Sequence, residues 1–278
     1  MKVHVFTPHY NDRNRWVLEQ FAKACGGKTF DDRKYVECDV MVIYGTSKKS
    51  FPASHAKGKL IRQHKGPVII LERGFLLRGM DAPDKRFGLN GEYFAVGLNG
   101  VGGYAEYNNA NSPSDRWEAL GIELKPWRRW WGDYDLVVGQ VPWDTTVQHM
   151  DHAAWCRDTV QKLLDHNRKV LFRPHPNMRD QLHHYGKIAC PITTGSRGED
   201  FARADRVITY CSTLGVQSVV EGIPTVALDK GSMAWGVSVH DIYSCVMPDR
   251  EQWAYNLAYA QWRIDEFEVA WHHVRDVL

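Results

Sequence analysis

ADRVITYCSTLGVQSVVEGIPTVAL, residues 204–228, is the stretch that decides the fold. Arg206 to Tyr210 (RVITY) is a short β-branched run that reads as a strand. It breaks at Cys211-Ser212-Thr213, and Gly215 to Glu221 has the pattern of a helix. Gly222-Ile223-Pro224 makes the turn, and Thr225 to Leu228 (TVAL) reads as the next strand. A strand that enters a helix through Ser-Thr offers free backbone N–H groups, two hydroxyls and the positive end of the helix dipole. That arrangement suits a diphosphate. Ser212 and Thr213 are the candidate diphosphate contacts, and Gly215 would let a ligand approach the first turn. The plain alternative is that Ser212 is only an N-cap.

Upstream the rhythm repeats. Asp135 to Val138 (DLVV) reads as a strand with Gly139-Gln140-Val141-Pro142 as its exit loop. A helix is expected over His152 to His166, a strand over Lys169 to Phe172 and a short helix over Asp200 to Ala204. The strand at 169–172 ends in Arg173-Pro174-His175-Pro176, where two prolines stiffen the turn. Ligands of parallel sheets lie at the carboxyl ends of strands, so Arg173, His175, Ser212 and Thr213 are expected to converge. Arg173 would pair with a phosphate as a planar fork. His175 would donate a hydrogen bond or a proton to the departing phosphate.

The first half begins with a strand at Val3 to Phe6 and a helix from Arg15 to Ala24, stopped by Gly26-Gly27. A strand at Cys38 to Tyr44, a helix at Pro52 to Lys65 and a strand at Val68 to Leu71 follow, the last leading into Glu72-Arg73-Gly74. Residues 79–116 are rich in Gly, Asn and Pro and read as irregular, either an acceptor-shaping segment or a surface excursion. Lys125 to Trp131 (KPWRRWW) reads as a linker, and Arg250 to Leu278 as helical with periodic Trp and Phe. The expected organisation is an N-terminal Rossmann-like domain at 1–131, a C-terminal one at 132–255, and a helix at 256–278 packing back on the first.

Composition narrows the class. The 278 residues are 44% hydrophobic and 24% charged, as in a folded globular chain. A net charge of +2 neither marks nor excludes a nucleic-acid binder. Cys25, Cys38, Cys156, Cys190, Cys211 and Cys245 form no C-x-x-C pair and match no zinc spacing. No Asp-x-Asp stands at a strand end, so no catalytic metal is expected. MKVHVFTPHY lacks a signal-peptide core, and no run reaches the ~18 apolar residues of a membrane span. A cytoplasmic monomer is expected, in the host cell if the protein is viral.

The pairing of Arg173-Pro174-His175-Pro176 with Ser212-Thr213 and Gly222-Ile223-Pro224 resembles capsular-polysaccharide transferases, including the Kdo transferases of capsule assembly. In that family Glu stands where this chain has Gln217. Leu71-Glu72-Arg73-Gly74-Phe75-Leu76-Leu77-Arg78 is similar to the family's Glu-Asp-Gly-Phe-Leu-Arg-Ser, with Arg73 in place of the second acid. The resemblance implies an α/β chain of the GT-B type, two Rossmann-like domains facing across a cleft with a C-terminal helix crossing back, and a nucleotide-sugar co-substrate, with UDP-glucose the favoured one. It places Gly139, Gln140 and Gln217 with Arg173, Ser212, Thr213 and Gly215 around the donor. Trp143 is a further candidate contact. Glu72, as the single acid left in its motif, would act as base in an inverting displacement beside His175. Asp12 and His9 are rival bases, and Glu72 in a salt bridge is the plain alternative.

NSPSDRWEALGIELKPWRRWWG (111–132) and GQVPWDTTVQ (139–148) resemble uncharacterised phage proteins of the kind that glycosylate hydroxymethylated bases in DNA. Lys125, Arg128, Arg129 and Trp130, with Trp127 and Trp131, interleave cations and aromatics as phosphate contact and base stacking require. Lys48, Lys49 and Arg73, with Lys57 and Lys59, would extend that surface. The expected acceptor is a 5-hydroxymethylated pyrimidine in duplex DNA. A surface-polysaccharide acceptor and a non-catalytic nucleotide-binding module are the alternatives, and a GT-B-like epimerase would need carboxylates that the sequence does not place.

Overall fold

Two separate sheets organise the chain. The computed structural model describes residues 1–7, 11–31, 34–45, 56–77, 92–129 and 131–278. In chain order the elements are β1 (Val3–Phe6), α1 (Asp12–Cys25), β2 (Lys28–Phe30), β3 (Val40–Tyr44), α2 (Ala56–Gln63), β4 (Val68–Arg73), β5 (Tyr93–Leu98) and α3 (Asp115–Leu120). They continue as β6 (Tyr134–Val138), α4 (His152–Asp165), β7 (Val170–Arg173), α5 (Arg197–Arg203), β8 (Ala204–Thr209), α6 (Leu214–Val220) and β9 (Thr225–Ala227). The last are α7 (Glu251–Ala258), β10 (Gln261–Arg263) and α8 (Phe267–Arg275). Unit 1 comprises Met1–Leu120 with Tyr255–Leu278, and unit 2 comprises Gly121–Ala254.

Unit 1 carries the sheet β10-β5-β4-β3-β1-β2, in which β2, β1, β3 and β4 are parallel and β5 and β10 are joined antiparallel. α1 starts at Asn11, whose side chain accepts the Asn14 N–H, and stops at Gly26 in the left-handed region. Its inner face, Val17, Leu18, Phe21 and Ala22, shares one core with Phe267, Ala270, Trp271 and Val274 of α8. The i, i+3, i+4, i+7 spacing on α8 is what lays one apolar stripe against the sheet.

Three strands escaped the sequence reading. β5 lies inside the Gly/Asn-rich stretch expected to be irregular, yet all six of its residues are buried. Gly97 hides the strand from a propensity reading, and it is needed: a Cβ there would stand 2.6 Å from that of Ala105. β10 interrupts the segment expected to be helical, because Trp262 pairs with Phe94 and places its ring in the core. β2 spans three residues (Lys28–Phe30), too few for an apolar period.

Unit 2 carries the all-parallel sheet β7-β6-β8-β9. Its strands alternate. Val137, Phe172, Ile208 and Val226 face one core with Cys156, Val160 and Leu163 of α4, and Leu136, Val138 and Val207 face another with Phe201 and Ile223. Burial on both faces explains the continuous apolar runs. The KPWRRWW segment, expected as a linker up to 131, belongs to unit 2 from Gly121 onward. The Lys125 and Arg128 N–H groups bond to the carbonyls of Val220 and Gly222. Gly222 sits at φ +73°, and a Cβ there would meet the Pro126 carbonyl oxygen at 2.1 Å. Arg250 clamps the same segment from above, 3.8 Å from the Trp127 ring centre. No helix among the described residues is long and apolar enough to cross a membrane.

Candidate functional site

The carboxyl edge of the unit 2 sheet gathers four strand exits. From β6 the chain moves to one side for β7 and returns to the other for β8. The topological switch point, where doubly wound sheets bind ligands, therefore lies between the exits of β6 and β8. Gln140 occupies it and is buried. Its N–H donates to His152 Nε2 at 2.8 Å, and its carbonyl accepts from Tyr185 Oη at 2.7 Å. Its Oε1 accepts the Cys211 N–H at 3.0 Å, and its Nε2 donates to Thr146 Oγ1 at 3.2 Å and to Cys211 Sγ at 3.4 Å. With every polar group engaged, Gln140 braces the edge. His152 is its neutral partner, because burial lowers its pKa to about 4. Nε2 accepts, so the proton sits on Nδ1.

Tyr185 carries the brace to the third exit. It is fully buried, and burial raises its pKa, so the hydroxyl stays protonated. It accepts the His175 N–H at 3.2 Å while donating to Gln140. His175 Nδ1 accepts the Asn177 N–H at 3.2 Å, which leaves the proton on Nε2, the donor its expected role requires. At the β8 exit the Ser212 N–H donates to Thr209 Oγ1 at 2.9 Å, and its hydroxyl accepts the Leu214 N–H at 3.2 Å. Thr213 is the N-cap of α6 and makes no side-chain cap bond. His175 and the Ser-Thr pair do not stand side by side. β6 lies between their strands, so their turns flank Gln140 at roughly two strand spacings, about 9.6 Å.

Other expected donor contacts are placed differently. Arg173 is buried, and its guanidinium is held by the Asp200 carboxylate and by the Gly195 carbonyl at 3.1 Å. Strand alternation turns it away from the Phe172 face, and an internal carboxylate takes the fork expected for a phosphate. Gly139 is small because Phe172 and Tyr185 press on it: a Cβ would lie 2.7 Å and 3.1 Å from their rings. Gly215 likewise packs on Thr209, whose Cγ2 would be 3.0 Å from a Cβ. A side chain at either position would crowd these neighbours. Gln217 accepts from Arg197 Nη1 at 2.9 Å. Trp143 is 44% exposed, edge-on to His184, so it does not plug the core.

Sequence reasoning missed a second cluster on this edge. His149 Nε2 lies 2.9 Å from Tyr210 Oη and 4.0 Å from Asp229 Oδ2. Tyr210 and Asp229 both follow strands, so the rule that found His175 would have found them. Tyr185 carries no such signal.

In unit 1 Glu72 is half-buried near the end of β4, and its Oε1 accepts the Gly102 N–H at 2.7 Å. Arg73 points the other way, 3.2 Å from Glu92 Oε1. Glu92 is buried and also pairs with Arg13. The expected DNA contact at Arg73 is therefore engaged by a carboxylate that the sequence reading passed over. Buried Gln261 of β10 pins the following turn by accepting the Phe75 and Leu76 N–H groups at 2.8 and 3.0 Å. Lys57 donates to the Tyr44 carbonyl at 3.1 Å, and burial lowers its pKa to about 8. Asp12 is exposed in the first turn of α1. His9, Lys48, Lys49 and Trp130 lie outside the described residues.

No protein-family model matches the sequence. No curated protein matches it either. The solved structures do. KpsC beta Kdo 2,7 transferase from Thermosulfurimonas dismutans superposes with a TM-score of 0.57 at 13% identity, over 99% of this chain and 100% of that one. The beta Kdo 2,4 transferase of the same KpsC gives 0.58 at 19% identity, over 93% and 90%. The chain has a GT-B fold.

Within this GT-B chain the basic-aromatic segment lies away from the constellation just described. Lys125 pairs with Glu221 at 2.6 Å, and Arg128 donates to the Ala204 carbonyl at 3.1 Å. The segment follows the amino ends of β8 and β9, whereas His175, Gln140 and Ser212 follow carboxyl ends. The expected acceptor contacts Lys125, Arg128 and Arg129 therefore do not share an edge with the expected donor contacts. The five-residue length of β6 (Tyr134–Val138) separates the two edges, roughly 13 Å.

Proposed function

We propose that this chain is a glycosyltransferase that takes a sugar from a nucleotide-sugar and passes it to a hydroxyl acceptor. The observation that supports this best is the hydrogen-bonded run His175–Tyr185–Gln140–Cys211, which ties the exits of β7, β6 and β8 at the switch point. A rigid strand-end edge of this kind holds a ligand without reorganising. The donor, a UDP-sugar in our reading, lies there with Ser212 and Thr213 beside its phosphates. His175 Nε2–H bonds to the phosphate oxygen as the bond from it to the sugar carbon breaks. The acceptor oxygen bonds to that carbon with inversion as it loses its proton to a base, for which Glu72 is our candidate.

A glycan hydroxyl is the acceptor favoured by the likeness to two Kdo transferases. A 5-hydroxymethylated pyrimidine in DNA is the second reading, favoured by exposed Arg129 and by Trp131, which is 85% exposed. The deciding experiment incubates the protein with a panel of nucleotide-sugars, with and without oligosaccharides or 5-hydroxymethylated DNA, and follows acceptor mass. A hexose-sized or larger gain on one acceptor is expected. Nucleotide binding without turnover on any acceptor would instead indicate a non-catalytic module.

A further inference from the structure

A cavity of about 440 Å³ opens at the amino edge of the unit 2 sheet. That volume is within the range of small-molecule sites, about 300–1,000 Å³. Its floor is a charge network that is already balanced. Asp135 is fully buried and accepts two hydrogen bonds from Arg168, both at 2.9 Å, and two from Arg206, at 2.9 and 2.7 Å. Burial alone would raise the Asp135 pKa, but these bonds outweigh it and hold the pKa below its ordinary value. Arg168 also reaches Asp205. Two arginines against two aspartates leave a rigid floor with no net attraction for an anion.

The rim is different. Arg129 lines the cavity, is exposed and makes no ion pair among the described residues. Arg128 lines it too and is tied to backbone carbonyls. Three rings stand around them. The Tyr243 and His166 rings lie 4.5 Å apart, Tyr243 is 59% exposed, and Trp131 is 85% exposed. Rings this exposed are poorly used by the fold. Beside an arginine they match a ligand with a flat face and a negative group.

We propose that this cavity binds a nucleoside monophosphate unit, with its base against Tyr243 and Trp131 and its phosphate on Arg129. The unit is either a free nucleotide or one residue of a single-stranded nucleic acid. The site is separate from the carboxyl-edge site, so it stands whether or not the transferase reading does.

The test titrates the full chain with dTMP, thymidine, inorganic phosphate and a short oligo-dT, following the Trp131 indole resonance, assigned by its loss in Trp131→Phe. Saturable shifts with dTMP are expected, with thymidine and phosphate each about tenfold weaker or worse. Arg129→Glu and Tyr243→Ala, both exposed positions, should each weaken dTMP by about tenfold, and His175→Ala should not. Tighter, salt-dependent binding of oligo-dT assigns the unit to nucleic acid, and equal binding assigns it to the free nucleotide. The proposal fails if dTMP leaves the Trp131 signal unmoved. It fails equally if phosphate matches dTMP, or if Arg129→Glu binds like the wild type.

Discussion

At the scale of single residues, buried polar groups separate structural from chemical roles. His152 has a folded pKa of about 4 against an ordinary 6.5. Between those values the unfolded chain takes up a proton that the folded chain refuses. The stability held above pH 6.5 is therefore lost as pH falls toward 4, on the order of 3 kcal/mol in all. Denaturant midpoints should track this fall, and His152→Gln, which keeps an acceptor for the Gln140 N–H but cannot titrate, should flatten it. Arg173 is a second case. Because Asp200 holds it in the interior, Arg173→Ala should cost about 3–5 kcal/mol of stability by stranding a buried carboxylate. Loss of donor binding with a normal melting curve would restore the phosphate role that the sequence suggested. His175→Ala should lower kcat by about 10²–10⁴-fold with the fold intact. Glu72→Gln should abolish transfer and spare nucleotide binding in a titration.

At the scale of elements, the parallel strands other than three-residue β2 are legible in the sequence, and the antiparallel β5 and β10 are not. β6, β8 and β9 carry the short apolar runs Leu136–Val138, Val207–Ile208 and Val226–Ala227, buried on both faces of the sheet. β5 and β10 answer to each other rather than to local pattern: their pairing puts Trp262 opposite Phe94, and no window of sequence contains both. The turn holding Glu72 shows the same limit, since the side chain that fixes Phe75 and Leu76 is Gln261. A Cβ at Gly139 would press on the rings of Phe172 and Tyr185. Gly139→Ala should therefore destabilise the protein by about 1–3 kcal/mol through overpacking, measurable by thermal melting.

At the scale of the whole molecule, the sequence order of strands and helices carried the fold class, and spatial order had to come from the structure. The strand-end rule places Arg173, His175, Ser212 and Thr213 at strand exits, and the structure has those exits on the two sides of β6. It could not show that β6 stands between β7 and β8, nor that Arg128 and Arg129 lie on the opposite edge. The C-terminal segment belongs to unit 1, so truncation after Ala258 removes β10 and α8 and bares the core faces of α1 and β5. Such a chain should lose its cooperative melting transition and aggregate. The central claim is that the carboxyl edge of unit 2 holds a nucleoside diphosphate. Backbone amide chemical-shift mapping during UDP titration tests it most directly. The account predicts saturable shifts at Gln140, His175 and Cys211 to Thr213. Shifts confined to 128–131 and 242–247, or none with any nucleoside diphosphate, would contradict it.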